Sequence, residues 1–293
     1  MRYTTLISPQ ELIPHLGSPS WAIVDCRFDL LDPAMGEREY LEAHIPGAVY
    51  AHLEKDLSAP PTGSNGRHPL PTVQELSAVF SQWGIEKGVQ VVAYDASGGS
   101  FASRLWWSLR YLGHDAVAVL DGGFPAWTQA ELSTTSGLEN RLHRSYKPQV
   151  RPSMSASISN VMAQIHFTSP RLLDARSPER HRGLEEPHDP VAGHIPGSIN
   201  RFWDMNIDDD GNFLPREILH KQFEDLLGDT PPQSIIAYCG SGVTSCHNLL
   251  AMAYAGFDGA RLYPGSWSEW CADPSRPVAT GDEPRPNPTT DQA

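Results

Sequence analysis

Short apolar runs alternate with longer amphipathic stretches along this chain. The runs are rich in Val, Ile and Leu, end at turn-forming residues, and include residues 22–25, 91–95, 172–174 and 235–239. Runs of this kind are typical of buried parallel strands. Residues 103–111 and 245–254 each follow such a run and a glycine-containing loop, and we predict them to be helices. The alternation predicts an α/β fold in which a mainly parallel sheet is flanked by helices.

The two halves of the chain share three landmarks in the same order. The sequence His-Ile-Pro-Gly begins at His44 and again at His194, and each copy lies between two of the apolar runs. A glycine- and tryptophan-containing segment follows at residues 121–127 and again at residues 264–270. The spacing is shorter for this last landmark because the first half carries an extra Pro/Gly/Ser-rich loop, residues 59–71. We therefore interpret the chain as an internal duplication.

The duplication predicts four segments. They are an N-terminal domain over residues 1–135, a linker over 136–157, a C-terminal domain over 158–280 and a tail over 281–293. The linker is rich in Ser, Pro and basic residues and lacks sustained periodicity.

Composition limits the classes of partner. The chain has 22 Lys and Arg against 35 Asp and Glu, a formal charge of −13, which argues against nucleic acid or an anionic membrane as partner. We see neither a secretory leader nor an apolar stretch long enough to span a membrane, and we expect a cytoplasmic protein. The four cysteines are too few for a disulfide scaffold and lack zinc-ligand spacing, so we expect neither a metal nor another cofactor.

The loop after the run at residues 235–239 carries the chemistry. Cys239 ends the run and is followed by Gly240, Ser241, Gly242, Val243 and Thr244, and then by a predicted helix. The two glycines allow the backbone to curl so that its N–H groups converge at the positive end of the helix. A thiol held in this cradle is stabilised as a thiolate and is a nucleophile. The matching position of the first copy is Asp95, so only the second copy keeps a thiol.

These motifs resemble the two-domain rhodanese family of sulfurtransferases. The resemblance rests on the paired His-Ile-Pro-Gly motifs, the cysteine loop in the second half only, and Gly-Ser-Trp-Ser-Glu-Trp near the end, and it covers about residues 5–280. It implies tandem rhodanese-like domains and a ping-pong reaction through a persulfide on Cys239. The implied partners are a small sulfur donor and a thiophilic acceptor such as cyanide, a small thiol or a thioredoxin-like dithiol.

The neutral loop after Cys239 is similar to that of the members that use 3-mercaptopyruvate. Members that prefer thiosulfate tend to carry Arg and Lys there, and thiosulfate does place two charges near the transferred sulfur. The resemblance assigns donor binding to Arg180. The place of a second arginine is taken by Pro187-His188-Asp189, and Arg182 is our candidate substitute. Arg176 is interpreted as a structural partner of nearby carboxylates.

The resemblance also implies a relay of Ser, His and Asp. Ser241 is the catalytic serine candidate, His44 the histidine and Asp32 the nearest acid. The alternative is that His44 and His194 are both structural, because both copies contain them although only one copy has the cysteine.

Three other functions stay open at this stage. A thiosulfate-preferring sulfurtransferase would differ only in its donor, and a non-catalytic sulfur-binding or interaction module would resemble the first copy. A cysteine phosphatase of the same fold needs an arginine six residues after the cysteine, where this chain has Ser245.

Overall fold

The computed structural model describes residues 2–165 and 171–282, which form two compact units. The first unit comprises the described parts of Met1–Ala59, Leu70–Pro152 and Ile207–Phe213. The second comprises Pro60–Pro69 and the described parts of Ser153–Asn206 and Leu214–Ala293. The predicted boundaries at 135 and 158 stay a prediction, and the predicted tail lies outside the described residues from residue 283 onward.

The first unit is built on five parallel strands in the order β1-β5-β4-β2-β3. They are β1 (Leu6–Ile7), β2 (Trp21–Asp25), β3 (Ala48–Tyr50), β4 (Gln90–Tyr94) and β5 (Val117–Leu120). Strands β4 and β5 are buried along their whole length, as expected for a parallel sheet covered on both faces.

Six helices accompany this sheet. They are α1 (Pro9–Leu12), α2 (Met35–Glu42), α3 (Leu53–Asp56), α4 (Val73–Gln82), α5 (Ala102–Tyr111) and α6 (Gly123–Gln129). A single 3-10 turn, Ile13–His15, also lies among the described residues of this unit. Helix α4 begins with a capping box in which Thr72 and Glu75 exchange side-chain and backbone hydrogen bonds.

The second unit repeats this plan with four parallel strands in the order β7-β6-β8-β9. They are β6 (Leu172–Asp174), β7 (Ser198–Asn200), β8 (Ile236–Tyr238) and β9 (Arg261–Leu262). The helices are α7 (Ile158–Met162), α8 (Pro178–Arg182), α9 (Arg216–Leu227), α10 (Ser245–Ala255) and α11 (Ser266–Trp270). Three 3-10 turns are Pro152–Met154, Trp203–Asn206 and Pro232–Ser234.

The predicted fold class and elements are confirmed. Each of the four apolar runs overlaps a strand, and the two helices predicted at 103–111 and 245–254 are α5 and α10, with ends displaced by at most one residue. The tryptophans of the third landmark, Trp127, Trp267 and Trp270, are fully buried and belong to the cores. The four cysteines are free and buried.

A buried ion pair recurs at the same place in both units. Asp25 at the end of β2 receives a bidentate hydrogen-bonded pair from Arg27, and Asp174 at the end of β6 receives one from Arg176. All four side chains are almost completely buried. The prediction that Arg176 pairs structurally with carboxylates is therefore confirmed, and the duplication extends to the interior of the two units.

A candidate active site at the carboxyl edge of the second sheet

Cys239 directly follows β8, where the loop turns back toward α10. Its side chain is buried, and the backbone N–H of Gly242 points at Sγ at a distance of 3.1 Å. The hydroxyl of Ser245, at the start of α10, approaches Sγ to 3.6 Å. The sulfur therefore lies where the positive end of a helix and a loop N–H meet.

Hydrogen bonds outweigh burial in setting the acidity of Cys239. Burial by itself raises the pKa of a thiol. Donation from the hydroxyls of Thr244 and Ser245 and from the backbone N–H groups of Ser245 and Ser241 stabilises the thiolate, and the net effect is a Cys239 pKa below its ordinary value. These hydrogen bonds thus favour the thiolate, the form in which a cysteine reacts as a nucleophile.

The two glycines of the loop are required for different structural reasons. Gly242 has φ 79°, and a Cβ there would collide with the carbonyl of Pro264. Gly240 does not have a positive φ, which corrects the expectation that both glycines curl the loop. A Cβ on Gly240 would instead lie 2.6 Å from Nη2 of Arg67 and 3.2 Å from Nη2 of Arg180. The missing side chain leaves room for two guanidinium groups beside the nucleophile.

Ser241 has a histidine partner that lies far away in the sequence. Its hydroxyl is 2.7 Å from Nδ1 of His68, and both side chains are buried. His68 belongs to Pro60–Pro69, which is part of the second unit. The backbone N–H of the preceding residue, Arg67, donates to Oγ of Ser268 at 3.0 Å and so fixes this segment beside the cysteine loop.

Two carboxylates balance the guanidinium groups over Gly240. Arg67 donates through Nε and Nη2 to the two oxygens of Asp189, at 3.1 and 3.3 Å. Arg180 donates through Nε and Nη2 to Glu186, at 3.2 and 2.7 Å, and its Nη2 is 3.7 Å from Asp189. The site beside Cys239 therefore contains cations that are already paired.

The structure brings only part of the predicted set together. Cys239, Ser241, the cradle residues and Arg180 lie at one place in the second unit. Arg182 pairs instead with Glu179 on the same short helix, and both side chains are at least one-third exposed. Its predicted place as the second guanidinium is taken by Arg67, which corrects that assignment.

The predicted relay through His44 and Asp32 is also corrected. The ring of His44 is buried against Tyr40, and its Nδ1 contacts the Tyr40 carbonyl oxygen at 2.6 Å. His194 repeats this arrangement against His181. Both histidines therefore brace their His-Ile-Pro-Gly turns. Asp32 is exposed and pairs with Arg38, whereas the partner of Ser241 is His68.

The sequence-based assignment missed Arg67, His68, Asp189 and Ser245. One signal was available for the first two. The loop that lengthens the first half, residues 59–71, is rich in Pro, Gly and Ser, and Arg67 and His68 are its only ionisable residues. An Arg-His pair in such a segment indicates a binding role. Asp189 and Ser245 carried no comparable signal.

The first unit fills the equivalent cradle with its own carboxylate. Asp95, which follows β4, is fully buried and accepts four backbone N–H groups, from residues Ser97, Gly99, Phe101 and Ala102, at 2.8–2.9 Å. Burial raises the pKa of Asp95, and these hydrogen bonds act in the opposite direction. The loop therefore presents hydrogen-bond donors to an acidic side chain in both copies, but only the second copy offers a sulfur.

Two kinds of feature are absent from the described residues. Within residues 2–165 and 171–282, no three His, Cys, Asp or Glu side chains are grouped so that they could hold a metal ion. Over the same ranges, no helix is both long and apolar enough to cross a membrane.

Comparison with known proteins identifies the family of both halves. The family model of the rhodanese-like domain matches residues 8–130 and again residues 157–273. A protein of Pseudomonas aeruginosa with the name "Probable 3-mercaptopyruvate sulfurtransferase" is 48% identical over 284 residues, 96% of this chain and 100% of that protein. Thiosulfate/3-mercaptopyruvate sulfurtransferase 2 of Arabidopsis thaliana is 35% identical, with 93% of this chain and 86% of that protein covered.

Solved structures agree in fold. The crystal structure of SseA from Escherichia coli, described as a 3-mercaptopyruvate sulfotransferase with the rhodanese fold, superposes with a TM-score of 0.77. The sequences are 28% identical, and the match covers 90% of this chain and 99% of that one.

Proposed function

This chain belongs to the rhodanese-like family of sulfurtransferases, and we propose that it moves a sulfur atom from 3-mercaptopyruvate to a thiophilic acceptor through a persulfide on Cys239. The observation that carries the proposal is the cradle around Sγ of Cys239. N–H and hydroxyl donors lower the pKa of this buried thiol, so a larger fraction of it is ionised than in an ordinary cysteine at the same pH. The same donors suit the terminal sulfur of a persulfide anion.

The first half-reaction is balanced without an oxidant or a reductant. The Cys239 thiolate attacks the sulfur of the donor, an S–S bond forms, and the carbon–sulfur bond breaks. Its electron pair stays on the three-carbon fragment as an enolate, which takes up a proton to give pyruvate. The donor's thiol loses one proton and the methyl group of pyruvate gains one, so protons balance. The enzyme keeps the transferred sulfur as a persulfide anion.

Ser241 and His68 stabilise the enolate in this proposal. The Ser241 hydroxyl lies two residues after the nucleophile and can donate a hydrogen bond to the donor's carbonyl oxygen, on which negative charge develops. The 2.7 Å contact with His68 orients that hydroxyl. The guanidinium groups of Arg67 and Arg180, placed over Gly240, bind the donor's carboxylate.

The second half-reaction returns the enzyme to its starting state. An acceptor such as cyanide, a small thiol or a thioredoxin-like dithiol attacks the terminal sulfur, and the S–S bond breaks with its electron pair returning to Sγ of Cys239. With cyanide the product is thiocyanate.

We also propose a cytoplasmic location, which is in keeping with four free thiols. The proposed domains cover residues 1–135 and 158–280, and the second of them is catalytic.

The donor is tested by comparing kcat/KM for 3-mercaptopyruvate and for thiosulfate, with cyanide as acceptor in both assays. We expect 3-mercaptopyruvate to be preferred, because Gly240 and Ser241 place no unpaired cation next to the sulfur. The thiosulfate alternative is favoured by two names, the double name of the Arabidopsis thaliana relative and the name "Putative thiosulfate sulfurtransferase SseB" of a Mycobacterium tuberculosis protein that is 40% identical. A larger kcat/KM for thiosulfate would establish that alternative. Sulfur loading without turnover would indicate a sulfur-binding module.

The acidity of Cys239 gives a prediction for pH. Because the pKa is lowered, the thiolate persists to lower pH than in an ordinary cysteine, and the rate of alkylation by iodoacetamide should rise through a midpoint below the normal thiol range. Replacing Ser245 by Ala removes one hydroxyl donor and should move this midpoint upward. The measurement is the alkylation rate from pH 5 to pH 10, followed by peptide mass at Cys239. An unchanged midpoint in the variant would contradict the assigned hydrogen bond.

A further inference from the structure

Asp189 is a buried carboxylate beside Cys239, where it forms a cluster of charged groups with Arg67 and Arg180. Its side chain is 3% exposed, its two oxygens face the fork of Arg67, and one of them also lies 3.7 Å from Arg180. Both guanidinium groups in turn lie over Gly240. The carboxylate therefore acts on the two cations that are nearest to the reacting sulfur.

The cluster as a whole carries no net charge. Glu186 accepts from Arg180 and from Arg176, and Arg176 is in turn paired with Asp174. Three guanidinium groups are thus matched by three carboxylates, and each of these carboxylates is at most 3% exposed. Two other titratable side chains lie on the same loop, the exposed Glu185 and His188. Burial and the nearby Arg67 and Arg180 lower the pKa of His188, which disfavours a further positive charge there.

Neutrality has different consequences for donors of different charge. The Coulomb energy between a fixed group and a bound anion is proportional to the charge of the anion. A carboxylate close to the donor therefore penalises a dianion twice as much as a monoanion at the same position. Burial strengthens this discrimination, because solvent and salt screen the interaction less.

We propose that Asp189 determines donor specificity by cancelling guanidinium charge beside Cys239, so that the site accepts a donor with one negative charge and disfavours a dianion such as thiosulfate. The inference rests on the proposed function and deepens it. Arg67 and Arg180 keep Nη1 for a donor carboxylate, since the described contacts use their Nε and Nη2 atoms. In this proposal Arg67 and Arg180 bind the donor, and Asp189 reduces the positive charge that the donor meets.

The test is Asp189→Asn, measured as kcat/KM for thiosulfate and for 3-mercaptopyruvate at low, fixed ionic strength. Asn keeps the size of the side chain and an oxygen that accepts from Arg67, and it removes the charge. The kcat/KM should rise for both donors. Because the penalty in free energy is twice as large for a dianion, the fold-increase for thiosulfate should be about the square of the fold-increase for 3-mercaptopyruvate. The ratio of kcat/KM for thiosulfate to kcat/KM for 3-mercaptopyruvate should increase by roughly tenfold or more.

A matched control is Asp273→Asn, which removes an exposed carboxylate from the same unit and should leave the ratio unchanged. If Asp189→Asn changes kcat/KM by the same factor for both donors, the role of Asp189 is merely structural and the proposal is overturned. Inability of the wild-type protein to transfer sulfur from either donor would refute the proposed function instead, so the two failures are distinguishable.

A second variant and a measurement on the wild-type protein cover the case in which Asp189→Asn does not fold. Glu186→Gln removes the other carboxylate on Arg180 and should raise the same ratio. In the wild-type protein, sulfate should inhibit no more strongly than pyruvate. Tighter inhibition by sulfate, or an unchanged ratio in Glu186→Gln, would overturn the proposal.

Discussion

Replacing Cys239 by Ser is expected to lower kcat/KM for sulfur transfer by at least about 10⁴-fold, because loss of a catalytic nucleophile removes the covalent pathway itself. A serine hydroxyl is not ionised near neutral pH, and the N–H and hydroxyl donors that lower the pKa of the Cys239 thiol cannot ionise it. Intact mass after incubation with 3-mercaptopyruvate should show one added sulfur in the wild-type protein and none in the variant.

The other three cysteines supply the controls for this experiment. Burial raises the pKa of Cys271 to about 11, and burial together with nearby carboxylates raises that of Cys26 well above its ordinary value. Cys246 is buried in α10, where its thiol contacts the carbonyl of Gly242. Cys26→Ser, Cys246→Ser and Cys271→Ser should each still gain one sulfur. A sulfur on Cys239→Ser would show that another group is the nucleophile.

The candidate nucleophile, Cys239, could be proposed from sequence because the signals that mark it are local. A short apolar run, a cysteine, a loop with two glycines and an amphipathic stretch lie next to one another, and β8 and α10 formed where that pattern predicted. Strand ends in a parallel sheet share one edge, so the position of Cys239 followed from its place after β8.

The groups that assist Cys239 could not be identified in this way, since they lie far away in the chain. His68 is 173 residues before Ser241, and Arg67 is 122 residues before Asp189. No periodicity links such positions. The family resemblance assigns the relay histidine to His44, but His194 makes the same contact in the second unit, which indicates that the motif serves the turn.

The error at Arg182 has a similar physical origin. Arg180 and Arg182 are two residues apart on the short helix α8, and residues at that spacing do not face the same side of a helix. Arg180 turns toward Gly240, and Arg182 pairs with Glu179 on an exposed face. Once α8 is known to be helical, only one of the two can serve the site.

Replacing Asp174 by Asn is expected to lower the free energy of unfolding of the second unit by about 3–5 kcal/mol, because removing one partner of a buried pair leaves the other charge uncompensated. Asp174 is fully buried and accepts a bidentate pair from Arg176 and a 3.0 Å contact from Nδ1 of His181. Glu186, which also pairs with Arg180, is the remaining carboxylate on Arg176.

The pH dependence of this loss has a defined sign. Burial by itself raises the pKa of Asp174, but Arg176 and His181 hold it well below its ordinary value. The carboxylate therefore stabilises the folded state above the pKa of an unfolded Asp, and this contribution disappears as the pH falls toward the folded pKa. Stability at acid pH should consequently decline less steeply in Asp174→Asn than in the wild-type protein.

Urea unfolding followed by tryptophan fluorescence measures this effect, since the guanidinium of Arg176 lies 4.7 Å from the ring centre of Trp267. Asp273→Asn, an exposed substitution of the same type, should change the free energy of unfolding by no more than about 0.5 kcal/mol. A loss below about 1 kcal/mol in Asp174→Asn would contradict the assigned pair. Arg176 also donates to Glu186, and Glu186 accepts from Arg180, so the pair at Asp174 is connected by hydrogen bonds to an arginine beside Cys239. The buried pair that stabilises the second unit therefore also supports the arginine groups that we propose to bind the donor.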